Sequence, residues 1–142
     1  MEAETVQTVS PVTIPEWGLF VLNSIEKLLR LPESWDSYDA KQISPNSVKT
    51  LVILLAQSIQ RMLFDVPIPF VVPTVGGGFQ LEWHQSGIDL EIEIPPSGKP
   101  VVSFVNVETG ADWEREINLW DDILPTIFEP LISNSSEQNN RS

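Results

Sequence analysis

The chain has 142 residues, of which 42% are hydrophobic, with no cysteine, one histidine and a formal net charge of −12. That length and apolar content suit one globular domain with its own core, and the lack of cysteine excludes disulfides, thiolate metal sites and cysteine nucleophiles. Such a charge repels nucleic-acid phosphate and anionic membrane while attracting basic protein surfaces or cations, which argues against direct nucleic-acid or membrane binding.

The acidity is uneven. Residues 1–61 hold 7 acids and 5 bases, net −2, whereas residues 62–142 hold 13 acids and 3 bases, net −10. Residues 1–13 read as an irregular arm without the basic and apolar regions of a secretory signal. No apolar run approaches the roughly 20 residues needed to span a bilayer, so a cytoplasmic protein is expected.

A first helix is expected from Pro15 to about Arg30. Pro15 and Glu16 suit its first turn, Trp17, Phe20, Val21, Ser24, Ile25 and Leu28 form its apolar stripe, and Pro32 ends it. The loop that follows holds Trp35, Asp36, Tyr38 and Asp39. Two readings stand: Trp35 plugs a gap while Asp36 and Asp39 accept bonds from nearby backbone, or the four line a recognition pocket.

Ser44 and Pro45 are the N-cap and first residue of a second helix. Its apolar positions, Val48, Leu51, Val52, Leu55, Ile59, Met62 and Leu63, are widened by Ile53, Leu54 and Ala56 into a helix buried almost all round. Prolines 67, 69 and 73 confine any strand around Phe70 to Val72 to an edge or a short piece. Gly76-Gly77-Gly78 lacks the Gly-x-Gly-x-x-Gly and Gly-Lys-Ser/Thr patterns and precedes a strand, so it reads as a turn rather than a phosphate cradle.

Phe79, Leu81 and Trp83 alternate with Gln80, Glu82 and His84, and Ile88, Leu90, Ile92 and Ile94 alternate with Asp89, Glu91 and Glu93. Period two on both runs describes a hairpin with an apolar and a carboxylate face. A two-residue turn at Ser86-Gly87 sets Trp83 opposite Leu90, Glu82 opposite Glu91 and His84 opposite Asp89. Trp83, Leu81, Leu90 and Ile92 are expected to pack on Leu55 and Ile59, with Glu82, Glu91 and Glu93 exposed. A turn centred on Ser97-Gly98 would set Ile94 against Val101 and turn Ser103 inward. Beyond the Glu108-Thr109-Gly110 reversal lies a last strand in which Trp113, Arg115 and Ile117 alternate with Glu114 and Glu116. Leu119 to Leu131 reads as a closing helix with Asp121 and Asp122 in its first turn, and residues 133–142 as a disordered polar tail.

These elements predict an α+β fold over residues 14–132: two N-terminal helices and a C-terminal helix on one face of an antiparallel meander of four or five strands. Trp35-Asp36-Ser37-Tyr38-Asp39-Ala40, with Gly76-Gly77-Gly78-Phe79-Gln80-Leu81-Glu82-Trp83, resembles a loose group of small, poorly characterised bacterial proteins. These pair a Trp-Asp-Gly-Tyr loop with a Gly-Gly-x-Gln-Leu-Glu-Trp strand. The resemblance spans roughly residues 31–110, with Ser37 and Asp39 departing from the glycines of the pattern. It implies a bacterial source and that loop and hairpin act as one unit, and it carries no activity.

A lone histidine without a Gly-x-Ser-x-Gly elbow argues against a serine hydrolase. His84 with Glu82, Asp89, Glu91 and Glu93 offers metal-ligand donor types, but strand alternation alone produces that spacing, and no metal or other cofactor is expected. The sequence therefore points to a small acidic adaptor, inhibitor or antitoxin-like module. It would dock a basic partner protein, for which a neighbouring gene is a candidate source, through Gln80, Glu82, His84, Asp89, Glu91 and Glu93, with Trp35, Asp36, Tyr38 and Asp39 as further contacts. The alternative is a small metal- or carboxylate-dependent enzyme using His84 and the neighbouring acids.

Overall fold

The computed structural model of the chain describes residues 13–32, 34–36 and 40–140, with side chains as far as Ser133. The expected arm falls outside the described residues except for Thr13. Among the described residues three helices, α1 (Glu16–Leu28), α2 (Pro45–Gln60) and α3 (Leu124–Asn140), accompany five strands: β1 (Phe70–Pro73), β2 (Phe79–Gln85), β3 (Ile88–Ile94), β4 (Val101–Asn106) and β5 (Ala111–Glu116). The strands form one antiparallel sheet in the order β1-β2-β3-β4-β5, so the fold is α+β.

The central hairpin follows from its turn. Ser86 and Gly87 both take positive φ, 53° and 78°, the pattern of a two-residue turn whose twist matches the flanking strands. That turn sets Gln85 opposite Ile88, and outward from it Trp83 opposite Leu90 and Glu82 opposite Glu91.

The β3–β4 register differs by one residue from the expected one. Ile92 pairs with Val102 and Leu90 with Phe104, which places Ser103 opposite Glu91. Gly98, at φ 80°, closes a turn by donating to the Pro95 carbonyl at 2.9 Å. Lys99 then adds an odd residue before the ladder resumes. A one-residue slip exchanges the faces of a strand, and here it buries Val102 and Phe104 and moves Ser103 to the carboxylate side.

One core cluster draws Trp17, Val21 and Ile25 from α1, Leu51, Leu54 and Leu55 from α2, the inward residues of β2 to β4, and Leu124, Ile127, Phe128 and Leu131 from α3. Ile59 is only half-buried and stands outside the cluster, so Trp83 packs instead against Trp17 and Phe128. α2 is also rotated from its expected stripe. Ser47, Thr50, Gln57 and Ser58 are buried while Val52 and Met62 are exposed. The buried polar groups are accommodated locally, with Ser58 Oγ donating to the Leu54 carbonyl at 2.8 Å and Thr50 Oγ1 to that of Asn46 at 3.1 Å. Among the described residues Ser47 Oγ has no hydrogen-bond partner.

α1 ends at Leu28, and Pro15 is its extended N-cap rather than a first-turn residue. α3 begins at Leu124, so Asp121 and Asp122 precede it, and it continues through residues 133–140, expected as a disordered tail. A helix already propagated past Leu131 adds each further residue at little cost.

Candidate functional site

Alternation along paired strands sorts the sheet residues into two faces. Opposite the core face stand Gln80, Glu82 and His84 on β2, Asp89, Glu91 and Glu93 on β3, Val101, Ser103 and Val105 on β4, and Asp112, Glu114 and Glu116 on β5. Phe70 and Val72 of β1, paired with Glu82 and Gln80, border the same face and are 66% and 40% exposed. Among these strand positions His84 is the one basic side chain. One row across the sheet therefore reads Phe70, Glu82, Glu91, Ser103, Glu114.

His84 is held between two carboxylates. Its Nδ1 lies 2.7 Å from Asp89 Oδ1 across the strand pair, and its Nε2 lies 3.0 Å from Glu82 Oε1 on its own strand. Only an imidazolium donates from both nitrogens. The bond to Glu82 and then that to Asp89 raise its pKa above the ordinary value near 6.5, against a smaller lowering by burial. Gln80 Nε2 donates to the other Glu82 oxygen at 2.8 Å. Glu82 thus faces Glu91 with its own charge already partly compensated. Ser103 Oγ lies 3.3 Å from Glu114 Oε2, linking β4 to β5 on this face.

Glu82, Glu91 and Glu93 are half-buried rather than exposed, because flanking strand side chains cover their stems. A shallow depression of about 280 Å³ opens between His84, Asp89, Glu91, Ser103 and Val105. Glu82, His84 and Glu91 also bring one ligand atom each within 4.8 Å of one another. Metal ligation there would require one ring nitrogen of His84 to give up its proton and the carboxylate bond that proton makes.

The loop residues stand apart from this face. Trp35 Nε1 donates to the Lys41 carbonyl at 3.3 Å, and Asp36 Oδ1 accepts from the Ala40 amide at 3.2 Å. Tyr38 and Asp39 lie outside the described residues. The segment that follows is tied to the glycine-rich turn, since the Lys41 amide donates to the Val75 carbonyl at 2.9 Å and the Ser44 amide to that of Gly77 at 2.7 Å. A Cβ on Gly78 would stand 2.4 Å from the Ile94 carbonyl oxygen, and one on Gly77, at φ 98°, 2.9 Å from that of Gln42. These glycines admit close backbone approach, and the turn leads directly into β2.

The site residues that sequence reasoning did not assign are Asp112, Glu114 and Glu116. Their signal was present, as they alternate with Trp113 and Arg115, but their face depends on the β4 register. No family model, curated protein or solved structure matches the chain. Among the described residues no helix is long and apolar enough to cross a membrane.

Proposed function

We propose that this chain is a small protein-binding module that docks a basic partner protein through the carboxylate face of its sheet, in the manner of an adaptor, inhibitor or antitoxin. The observation that carries this reading is the one-sided sorting of charge: β2, β3 and β5 direct seven acidic side chains to a face with one histidine and no lysine or arginine at its strand positions. Neighbouring carboxylates stand about 5–7 Å apart on a pleated sheet. That is shorter than the roughly 8 Å screening length at physiological ionic strength, so their fields add within the β2–β3 group and within β5, which stand about 10 Å apart across the uncharged face of β4. All three helices are taken to lie on the Trp83 side, which leaves the acidic face open, and Phe70 beside it offers an apolar anchor. The resemblance to small bacterial proteins, with loop and hairpin as one unit, is compatible with a cytoplasmic module of this kind.

The test is affinity capture with wild-type protein and with a Glu91→Gln, Glu93→Gln, Glu114→Gln variant at low and moderate salt. A basic protein held by the wild type and released by the variant supports docking. The same captured set on both baits ends it.

A second reading rests on the convergence of Glu82, His84 and Glu91 ligand atoms. If zinc binds stoichiometrically in calorimetry and the binding disappears in His84→Ala, a metal-dependent role displaces docking.

A further inference from the structure

The two edges of the sheet are built differently. β1 is flanked by Pro67 and Pro69 and ends on Pro73, and proline lacks the N–H that an added strand needs. β5 has no proline over its six residues, and among the described residues nothing pairs with its outer side. The Ile117 amide bonds the Pro100 carbonyl at 2.9 Å, one step beyond the Val101–Glu116 pair. Antiparallel alternation therefore turns the backbones of Arg115 and Trp113 toward β4 and those of Asp112, Glu114 and Glu116 outward. All three outward residues are exposed. The open edge thus offers unpaired N–H and C=O groups at the same residues whose carboxylates join the acidic face.

Resting on the docking role above, we infer that β5 accepts an extended segment of the basic partner as a sixth, antiparallel strand, and that this segment carries lysine or arginine at every second position. The residues directly opposite Asp112, Glu114 and Glu116 share their face, so basic side chains there meet carboxylates. The intervening residues fall beside Trp113 and Arg115, whose guanidinium stacks 4.7 Å from the Trp113 ring centroid. That cation disfavours base on the second face and favours apolar side chains over the indole. A second copy of this chain is a poor occupant, because antiparallel β5–β5 pairing centred on Glu114 sets carboxylate against carboxylate. Main-chain bonds would supply affinity and the alternating charges selectivity.

The test uses a labelled peptide of alternating lysine and valine, against an isomer of the same composition with its lysines consecutive. Three proteins are compared: wild type, Glu114→Gln, which removes one charge and keeps the amide, and Glu114→Pro, which removes the outward amide at a position where an edge tolerates proline. The alternating peptide should bind better than its isomer. Glu114→Gln should weaken binding a few-fold and Glu114→Pro by about tenfold more, as loss of one or two backbone bonds implies. Amide exchange at Asp112, Glu114 and Glu116 should slow on peptide addition. If Glu114→Pro fails to fold, a peptide N-methylated at its lysines replaces it and should bind wild type about tenfold more weakly than the unmethylated form. Equal binding to the glutamine and proline variants, or of methylated and unmethylated peptide, overturns strand addition while leaving face docking intact. Absence of peptide binding, or a dimer by light scattering, overturns it too, and the capture experiment above then decides docking separately.

Discussion

Trp17 and Trp83 meet edge to face with ring centroids 6.2 Å apart, and both donate to the same linker, Trp17 Nε1 to the Leu63 carbonyl at 3.0 Å and Trp83 Nε1 to that of Pro67 at 2.7 Å. Phe128 closes the group at 5.5 and 5.3 Å from the two rings. One aromatic triad therefore fixes α1, β2 and α3 around the chain between α2 and β1, and satisfies both indole donors without water.

Replacing Trp83 by alanine removes the centre of that triad and leaves its neighbours facing a cavity. An aromatic-to-alanine change in a closed core costs about 3–5 kcal/mol. Chemical denaturation should show that loss, whereas Trp120→Ala, at a 69% exposed position, should change stability little. Equal losses at the two sites would contradict the assigned core.

The glycine-rich turn separates steric need from conformational freedom. A Cβ at Gly78 meets backbone at 2.4 Å, one at Gly77 meets backbone at 2.9 Å with φ at 98°, and one at Gly76 meets nothing within 4 Å. Gly78→Ala and Gly77→Ala should each destabilise by about 1–3 kcal/mol. Gly76→Ala should be neutral or stabilise by up to about 1 kcal/mol, since Gly76 is not among the positive-φ glycines. Melting curves of the three variants decide whether close approach, rather than phosphate binding, explains the run.

The hairpin was legible because a period of two holds within each run, Phe79 to His84 and Ile88 to Ile94, and Ser86-Gly87 between them suits a two-residue turn. The next register was not, because Pro95-Pro96-Ser97-Gly98-Lys99-Pro100 accommodates an even or an odd connection. The burial of Val102 and Phe104, rather than Ser103, chooses between them. α2 is apolar on nearly every side, so its own sequence could not say which side the sheet would take. The pairing of His84 with Asp89 followed from the register, but the second bond, from Nε2 back to Glu82, depends on side-chain rotamers that alternation does not specify.

On the acidic face, Glu91 and Glu93 are better probes than Glu82, which already receives bonds from Gln80 and His84. Glu91→Gln with Glu93→Gln removes like-charge crowding and should leave stability equal or higher by a few tenths of a kcal/mol. Association with a basic partner should weaken chiefly through a slower on-rate, with the difference shrinking as salt rises. A double variant that unfolds earlier yet binds unchanged would show these carboxylates to be structural.

His84 makes two properties run in opposite directions with pH. Its folded-state pKa lies above the unfolded value because the imidazolium donates to Glu82 and Asp89. Its contribution to stability is therefore complete below about pH 6.5 and lost as pH rises through the raised folded value. The effect is small, since the side chain is 40% exposed and water screens both pairs. His84→Gln should melt below wild type at about pH 5.5 and converge with it near about pH 9. Binding should respond the other way. A basic partner seated over β2 and β3 repels the imidazolium, so its affinity for the wild type should rise over the same interval. His84→Gln should flatten that rise and bind better than wild type at the acid end. Parallel melting and binding curves for the two proteins from about pH 5.5 to about pH 9 would show that His84 neither holds Glu82 and Asp89 together nor opposes a basic partner.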